Sequence, residues 1–573
     1  MRIGFRPWMT RARRGLLVGG AVVLLAVLAA CGTDGTGAEA GDLTFDVGTE
    51  EDRAALFDYL VEKTLERDAF ASLPDHPYHR AHPKGIDVVA LMEEHRDELI
   101  AADTDKKMWF ALRKISNARK DRHLGLGLVD GGLELPEELD VRRMAPIHFA
   151  VDYGDPEARF FFVADRGTRI GELVDGPVPE LGDRLVQVEG RTAEEHVGAI
   201  RPYKRYSQDH AFWWLVADEI SRTWDTYYGY ANHLPHDKFY GGTPDTLSLE
   251  LERTDGTRYQ VRLPYLDPDE VEWEGHSERR YPGFSEVPEL AGFETIEAVY
   301  LPDDPAVEVI LLRWLGFRGD LMEAMDALMD FAEERGILDH HVILDATRGR
   351  GGSRGSYALQ RLQPEPHRGT FGNLMVSDLM EAWVEDHIAG IREGRIQPSS
   401  VDDGTWLLEW LEIDARYAIE AGNRYTNDVP FKGAHGPKWS DGIIDPAPVH
   451  FRGGLTVWLA PHGGSHLDQF AAQVVDNDVG HVMGMPVGGY SNTWSSSEVL
   501  RFPTTGRPIV EFEWSMGHSI RPNGEILQYN PAQPHEHLPQ TRDNYFDYHA
   551  DLLRRTLERL ESGSVAASEG AGS

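Results

Sequence analysis

The chain has 573 residues, 41% of them hydrophobic, which suffices for more than one domain and a sizeable core. Acidic residues outnumber basic ones, 95 to 57, giving a net charge of −38. No basic stripe offsets this, so nucleic acid is excluded as a partner; the acidity serves solubility and identifies no substrate.

Arg2, Arg6, Arg11, Arg13 and Arg14 precede an apolar run, Gly15 to Val27, and Leu28-Ala29-Ala30-Cys31 follows. This resembles a bacterial lipoprotein signal. The resemblance implies removal of residues 1–30 and lipid attachment to Cys31, the only cysteine, which has no intrachain disulfide partner. A plain signal peptide and an uncleaved anchor are the alternatives. No later stretch approaches the ~20 apolar residues of a membrane span. The expectation is an extracytoplasmic body held at the cell-envelope membrane through Cys31, on a small, polar tether at 31–48.

Residues 49–145 read as a helical subdomain, with Ala54, Leu56, Phe57, Leu60 and Val61 making one periodic patch. His76, His79 and His82 recur at spacings of three, but Pro74, Pro77 and Pro83 forbid a regular helix there, and no metal or other cofactor is assigned. A helix through Met108 to Ile115 leads into Arg119-Lys120-Asp121-Arg122-His123-Leu124-Gly125-Leu126. Residues 146–200 are β-rich, including Gly171 to Val174. Leu181 to Gly190 resembles the strand–turn of PDZ-like modules, which implies a groove taking an extended peptide by strand addition. Residues 201–290 carry an aromatic-rich insert, read as a ligand wall or a helical core, and a hairpin about Asp255-Gly256.

From 291 to 562 the grammar is α/β. Strand-like Val307 to Leu312, a helix from Leu321 begun by an Asp320/Glu323 capping box, and a buried-type strand Val342-Ile343-Leu344-Asp345 lead to the glycine loop Gly349-Arg350-Gly351-Gly352. That loop lacks the spacing of a nucleotide-binding motif. A helical insertion occupies 371–449. The apolar run Gly454 to Ala460, the turn Pro461-His462-Gly463-Gly464, Ser465, and a helical face of Leu467, Phe470, Ala471, Val474 and Val475 then follow. A serine at a helix N-terminus beside a sheet suits nucleophilic chemistry, because free N–H groups there stabilise an oxyanion. Ser465 with Asp468 equally fits a capping box that merely starts a helix. The composition of 562–573 predicts a disordered tail.

These pieces, in this order, resemble the C-terminal-processing (tail-specific) and tricorn-core serine proteases. Val342 to Asp345 with Gly351-Gly352 is similar to that family's strand and glycine loop. Val457 to Asn477 is similar to its nucleophile strand and helix, Gly484 to Gly488 to its following turn, and Asn523 to Pro534 to its terminal strand. Arg119 to Leu126 resembles the segment carrying the general base in tricorn-like members. The resemblance implies a ClpP/crotonase-like α/β core with an inserted PDZ-like β module. It implies Ser465 as nucleophile, His123 as base, and an oxyanion hole from the N–H of His466 and the Gly351-Gly352 loop. The substrate implied is a peptide or protein. Tyr490 stands where the processing branch has its lysine, so a Ser–Lys dyad is excluded at that position. Gln528 stands at the supporting glutamate position, with Glu525 nearby, and Asp476 falls at a helix-end aspartate. A non-catalytic scaffold binding peptides or small apolar ligands is the alternative reading.

Overall fold

The structure is a computed structural model that describes residues 47–71, 86–225, 234–242, 244–276, 278–396, 405–430, 442–490 and 494–570. The signal segment with Cys31, most of the tether, the His76/His79/His82 loop and part of the aromatic insert lie outside these residues.

A seven-stranded sheet forms the centre. In order across it run Glu536–His537, His481–Gly484, Leu455–Leu459, His341–Asp345, Val309–Trp314, Ile296–Pro302 and Phe284–Glu286. The first five are mutually parallel; Ile296–Pro302 runs antiparallel to both of its neighbours, so Phe284–Glu286 points the same way as the first five. Every residue of His341–Asp345 and of Leu455–Leu459 is buried, as expected of strands covered on both faces. Side chains alternate between the two covers. Val342, Leu344, Val457 and Leu459 pack with the helices Leu321–Arg335, Gly355–Leu362 and His466–Asp476. Ile343, Trp458 and Met483 meet Tyr548, Leu552 and Leu553 of the C-terminal helix Tyr548–Gly570. That helix continues where composition predicts a disordered tail; its docked first turns supply the costly nucleus from which the rest propagates.

A second sheet is antiparallel and joins Ile147–Asp152, Phe160–Arg166, Arg184–Val188, Thr246–Glu252 and Arg258–Pro264, with Arg191–Thr192 beside the third. The hairpin predicted as part of a separate insert is therefore the far edge of this sheet. Gly171 to Val174, expected as strand, falls largely in a single helical turn, Ile170–Leu173, whose Ile170 is buried. One apolar core joins this sheet to the helices Glu50–Arg67 and Asp105–Asn117 and to the strand Pro508–Ser515, so residue 145 bounds no core.

The Asp320/Glu323 capping box does not form. Asp320 instead accepts from Thr295 Oγ1 at 2.7 Å and from the N–H of Glu294, tying the helix start to a neighbouring strand. The insertion contributes Asp378–Arg392 and a helix from Thr405 to Glu420 with a wider turn over Trp410–Ala415, packed around Trp494 and Met516.

Candidate active site

Ser465 follows the strand Leu455–Leu459 and its turn, and precedes the helix His466–Asp476. Its backbone is at φ +62°, ψ −125°, outside the regions that L-residues favour. Such strain persists only where the surroundings enforce it. Three contacts do so here. Ser465 N donates to Tyr490 O at 2.8 Å. The Tyr490 ring lies so close to Gly464 that a Cβ there would sit 2.0 Å from it. The Asp468 carboxylate accepts from Gly489 N at 3.0 Å and Tyr490 N at 3.1 Å. Ser465 and Asp468 are therefore no capping box: the serine side chain makes no cap bond, and the aspartate holds the 489–490 loop. Burial pushes the Asp468 carboxyl up to about 7 despite those hydrogen bonds and the Arg521 charge.

The serine hydroxyl points instead at a residue 342 positions away. His123 Nε2 lies 2.9 Å from Ser465 Oγ. His123 sits beyond the end of the helix Asp105–Asn117, after a left-handed turn at Lys120, φ +52°. The segment is braced from the C-terminal part of the chain. Leu126 and Gly127 pair with Phe512 and Glu511, the Tyr529 hydroxyl donates to Arg119 O, and Arg119 is buried against Phe512.

Sequence reasoning left the histidine without a carboxylate. The structure supplies Asp121, whose Oδ1 accepts from His123 N at 2.8 Å and lies 3.3 Å from His123 Nδ1. With Nδ1–H donating to Asp121, Nε2 is the acceptor facing the serine. Asp121 is buried, and among the described residues its Oδ2 has no hydrogen-bond partner, so the hydrogen bonds of this carboxyl group all go to His123. The signal was local: an Asp-x-His spacing lets one carboxylate take both the backbone and the ring. Tyr490 adds an edge-on ring contact to His123 at 5.5 Å.

The other sequence-designated supports do different work. The Gln528 amide donates to Ser207 Oγ at 3.1 Å, and Ser207 donates to Lys120 O at 2.7 Å, so Gln528 braces the segment leading to His123. Glu525 is exposed and accepts from Asn530 Nδ2 at 2.9 Å. Asp476 makes a two-point ion pair with Arg521, at 2.9 and 2.5 Å. Neither carboxylate's bonds lead to the histidine.

The glycine loop does meet the serine. A Cβ on Gly351 would lie 2.5 Å from Ser465 Cβ and 2.8 Å from its Oγ, so only glycine lets the backbone pass this close. The loop is fixed at its start by Asp345, which accepts from Thr347 N at 3.0 Å and from the Tyr281 hydroxyl. Burial alone would raise this carboxyl; Arg279 and His549 overcome it and hold Asp345 well below the usual range. Gly352 continues the loop at φ +143° against Phe317 O. Across the serine, His466 opens the helix, where the first N–H groups have no intrahelical acceptor. Its ring is used elsewhere: Nδ1 donates to Gln469 Oε1 at 2.8 Å and Nε2 accepts from Gly355 N. Burial pushes this imidazole down to about 4.

A cavity of about 1260 Å³ is lined by Arg350, the neighbour of Gly351 in the chain, and by His462, three residues before Ser465, though by neither member of the pair itself. Phe149, Ala150 and Val151 of the sheet-edge strand form one wall, and Trp214, packed on the His462 ring at 4.8 Å, another.

No family model matches the chain, and no curated protein matches it in sequence. Solved structures do. Mature CPAF complexed with lactacystin is 14% identical with a TM-score of 0.61, over 89% of this chain and 98% of that one. Mature CPAF gives the same score and identity over 89% and 96%. The photosystem II D1 C-terminal processing protease aligns at 11% identity and a TM-score of 0.35, over 85% and 92%. The likeness to CPAF spans nearly the whole of both chains and establishes a shared fold.

Proposed function

We propose that this chain is a serine peptidase in which Ser465 attacks a peptide carbonyl. Its proton passes to His123 Nε2, and the Asp121 carboxylate stabilises the imidazolium that results. Oxyanion charge falls between the N–H of His466 and those of Gly351 and Gly352. The imidazolium then protonates the leaving amine, and water hydrolyses the acyl-enzyme by the reverse proton path. The observation that carries this reading is the 2.9 Å approach of Ser465 Oγ to His123 Nε2, which links two segments with no sequence proximity. A ClpP/crotonase-like core and a PDZ-like module remain the best description of the two sheets. An extended peptide lying along the edge strand Ile147–Asp152 suits the cavity wall formed there. The signal-like N-terminus places the enzyme in this reading at the cell envelope, anchored through Cys31.

The test is digestion of a complex peptide mixture, with new termini identified by mass spectrometry. The wild type should generate cleavage products, and Ser465→Ala and His123→Ala should generate none above background. Equal product from all three refutes the assignment.

A further inference from the structure

The cavity lined by His462 and Arg350, chain neighbours of the nucleophile turn and of Gly351, is rich in arginine within a strongly acidic chain. Arg222, Arg318, Arg348 and Arg350 all line it. Arg222 is matched by Asp218 at 3.0 Å, and His148 takes the other oxygen of the same carboxylate at 3.3 Å. That carboxylate is therefore committed to the wall. Glu278 and Glu294 also line the cavity, both as exposed side chains. The side chains of Arg318 and Arg350 make no hydrogen bond or ion pair with any of the described residues.

Arg350 occupies the telling position. It immediately precedes Gly351, whose backbone touches Ser465, so the two Cα atoms are about 3.8 Å apart. Side chains alternate along the strand Arg350–Gly352, so Arg350 leaves the face on which Gly351 meets Ser465 and enters the cavity. It is exposed to that cavity yet ringed by protein. Desolvation first, then the charges of Arg122 and Arg318, hold its guanidinium below the ordinary arginine range, with Asp218 opposing them. Arg122 itself adjoins His123 and acts on the buried Asp225 carboxylate. Cationic side chains thus stand beside both members of the pair, and of those lining the cavity Arg318 and Arg350 are the ones with guanidinium donors left to offer a ligand.

We propose that Arg350, backed by Arg318, determines specificity by taking the carboxylate of an aspartate or glutamate side chain close to the scissile bond. The inference rests on the peptidase reading for its substrate class. A planar guanidinium pairs with a carboxylate through two parallel hydrogen bonds, which neither a glutamine nor an asparagine reproduces. The net charge of −38 repels acidic peptides at a distance. At physiological ionic strength that field is screened over about 8 Å, so the local arginines decide the outcome. A free peptide C-terminus carries the same chemistry, and the test separates the two sources.

The experiment measures fluorescence anisotropy of matched peptides, Glu against Gln at each central position, on full-length Ser465→Ala protein, which does not turn them over. Each peptide is made with an amidated and with a free C-terminus. The expected result is roughly tenfold tighter binding of the amidated Glu peptide than of its Gln partner. The ratio should fall towards one in Arg350→Gln, and Arg350→Glu should favour a Lys peptide. Arg318→Gln, which removes only the backing charge, should lower the ratio less. Circular dichroism melts verify that each variant is folded. Equal binding of Glu and Gln peptides overturns the inference, as does a preference that survives both neutral substitutions. A preference that follows only the free C-terminus also overturns it. Acid-selective binding without cleavage by the parent enzyme sinks the peptidase reading and leaves the arginine site standing. Cleavage without acid selectivity does the reverse.

Discussion

Replacing Asp468 with asparagine tests whether a buried carboxyl beneath the nucleophile is held protonated. Burial lifts this group from 3.8 to about 7, roughly three units, and at about 1.4 kcal/mol per unit this amounts to about 4 kcal/mol. A raised carboxyl stabilises the folded state fully below its unfolded value, and that contribution is lost as pH rises towards 7. Asparagine cannot titrate, but its amide would face one of the N–H donors of Gly489 and Tyr490, a buried mismatch costing about 1–3 kcal/mol. The aspartate's cost grows as pH rises from 3.8 towards 7, whereas the asparagine mismatch is the same at every pH. The parent should be the more stable protein near pH 4.5, and the variant should overtake it as neutrality is approached, leading by about 1–3 kcal/mol at pH 8. Urea unfolding of both proteins from pH 4.5 to 8.5, compared as differences at a common m-value, reads this directly. A stability difference that stays constant across the range refutes the reasoning, because Asp468 would then be an ordinary ionised acceptor.

Asp121→Asn keeps an oxygen for the backbone and ring of His123 but removes the charge, so fluorophosphonate labelling should slow on the order of 100-fold. Labelling at the parent rate would remove Asp121 from the mechanism. Gly351→Ala introduces a Cβ 2.5 Å from Ser465 Cβ; it should abolish labelling while circular dichroism still reports a folded protein. Asp476→Asn breaks the buried pair with Arg521, whose side chains are 4% and 8% exposed, and should cost about 3–5 kcal/mol in urea unfolding. Labelling per folded molecule should not change, in contrast to a carboxylate that supports the histidine.

The central sheet was legible because its strands are buried on both faces and read as unbroken apolar runs, Val342 to Asp345 and Leu455 to Leu459. Ser465 was legible because strand, glycine turn and helical periodicity meet there. Local pattern could not separate nucleophile from cap, since both place a serine ahead of an acidic residue. The backbone strain and the fate of Asp468 are tertiary properties. Asp121 was overlooked because the resemblance directed attention to Gln528, at the end of the chain, rather than two residues before the base. The hairpin Thr246 to Pro264 was readable as a hairpin, but its membership of the antiparallel sheet depends on pairing with Arg184–Val188, across an insert of some sixty residues. Arg350 looked like a loop residue. Only the folded chain shows that it and Arg122 flank the same pair.

The most direct measurement is covalent: treat the full-length protein with a fluorophosphonate probe and locate the adduct by peptide mass spectrometry. The account predicts a single adduct on Ser465, absent in Ser465→Ala and strongly slowed in His123→Ala. An adduct on another residue, or labelling that persists in Ser465→Ala, would contradict it.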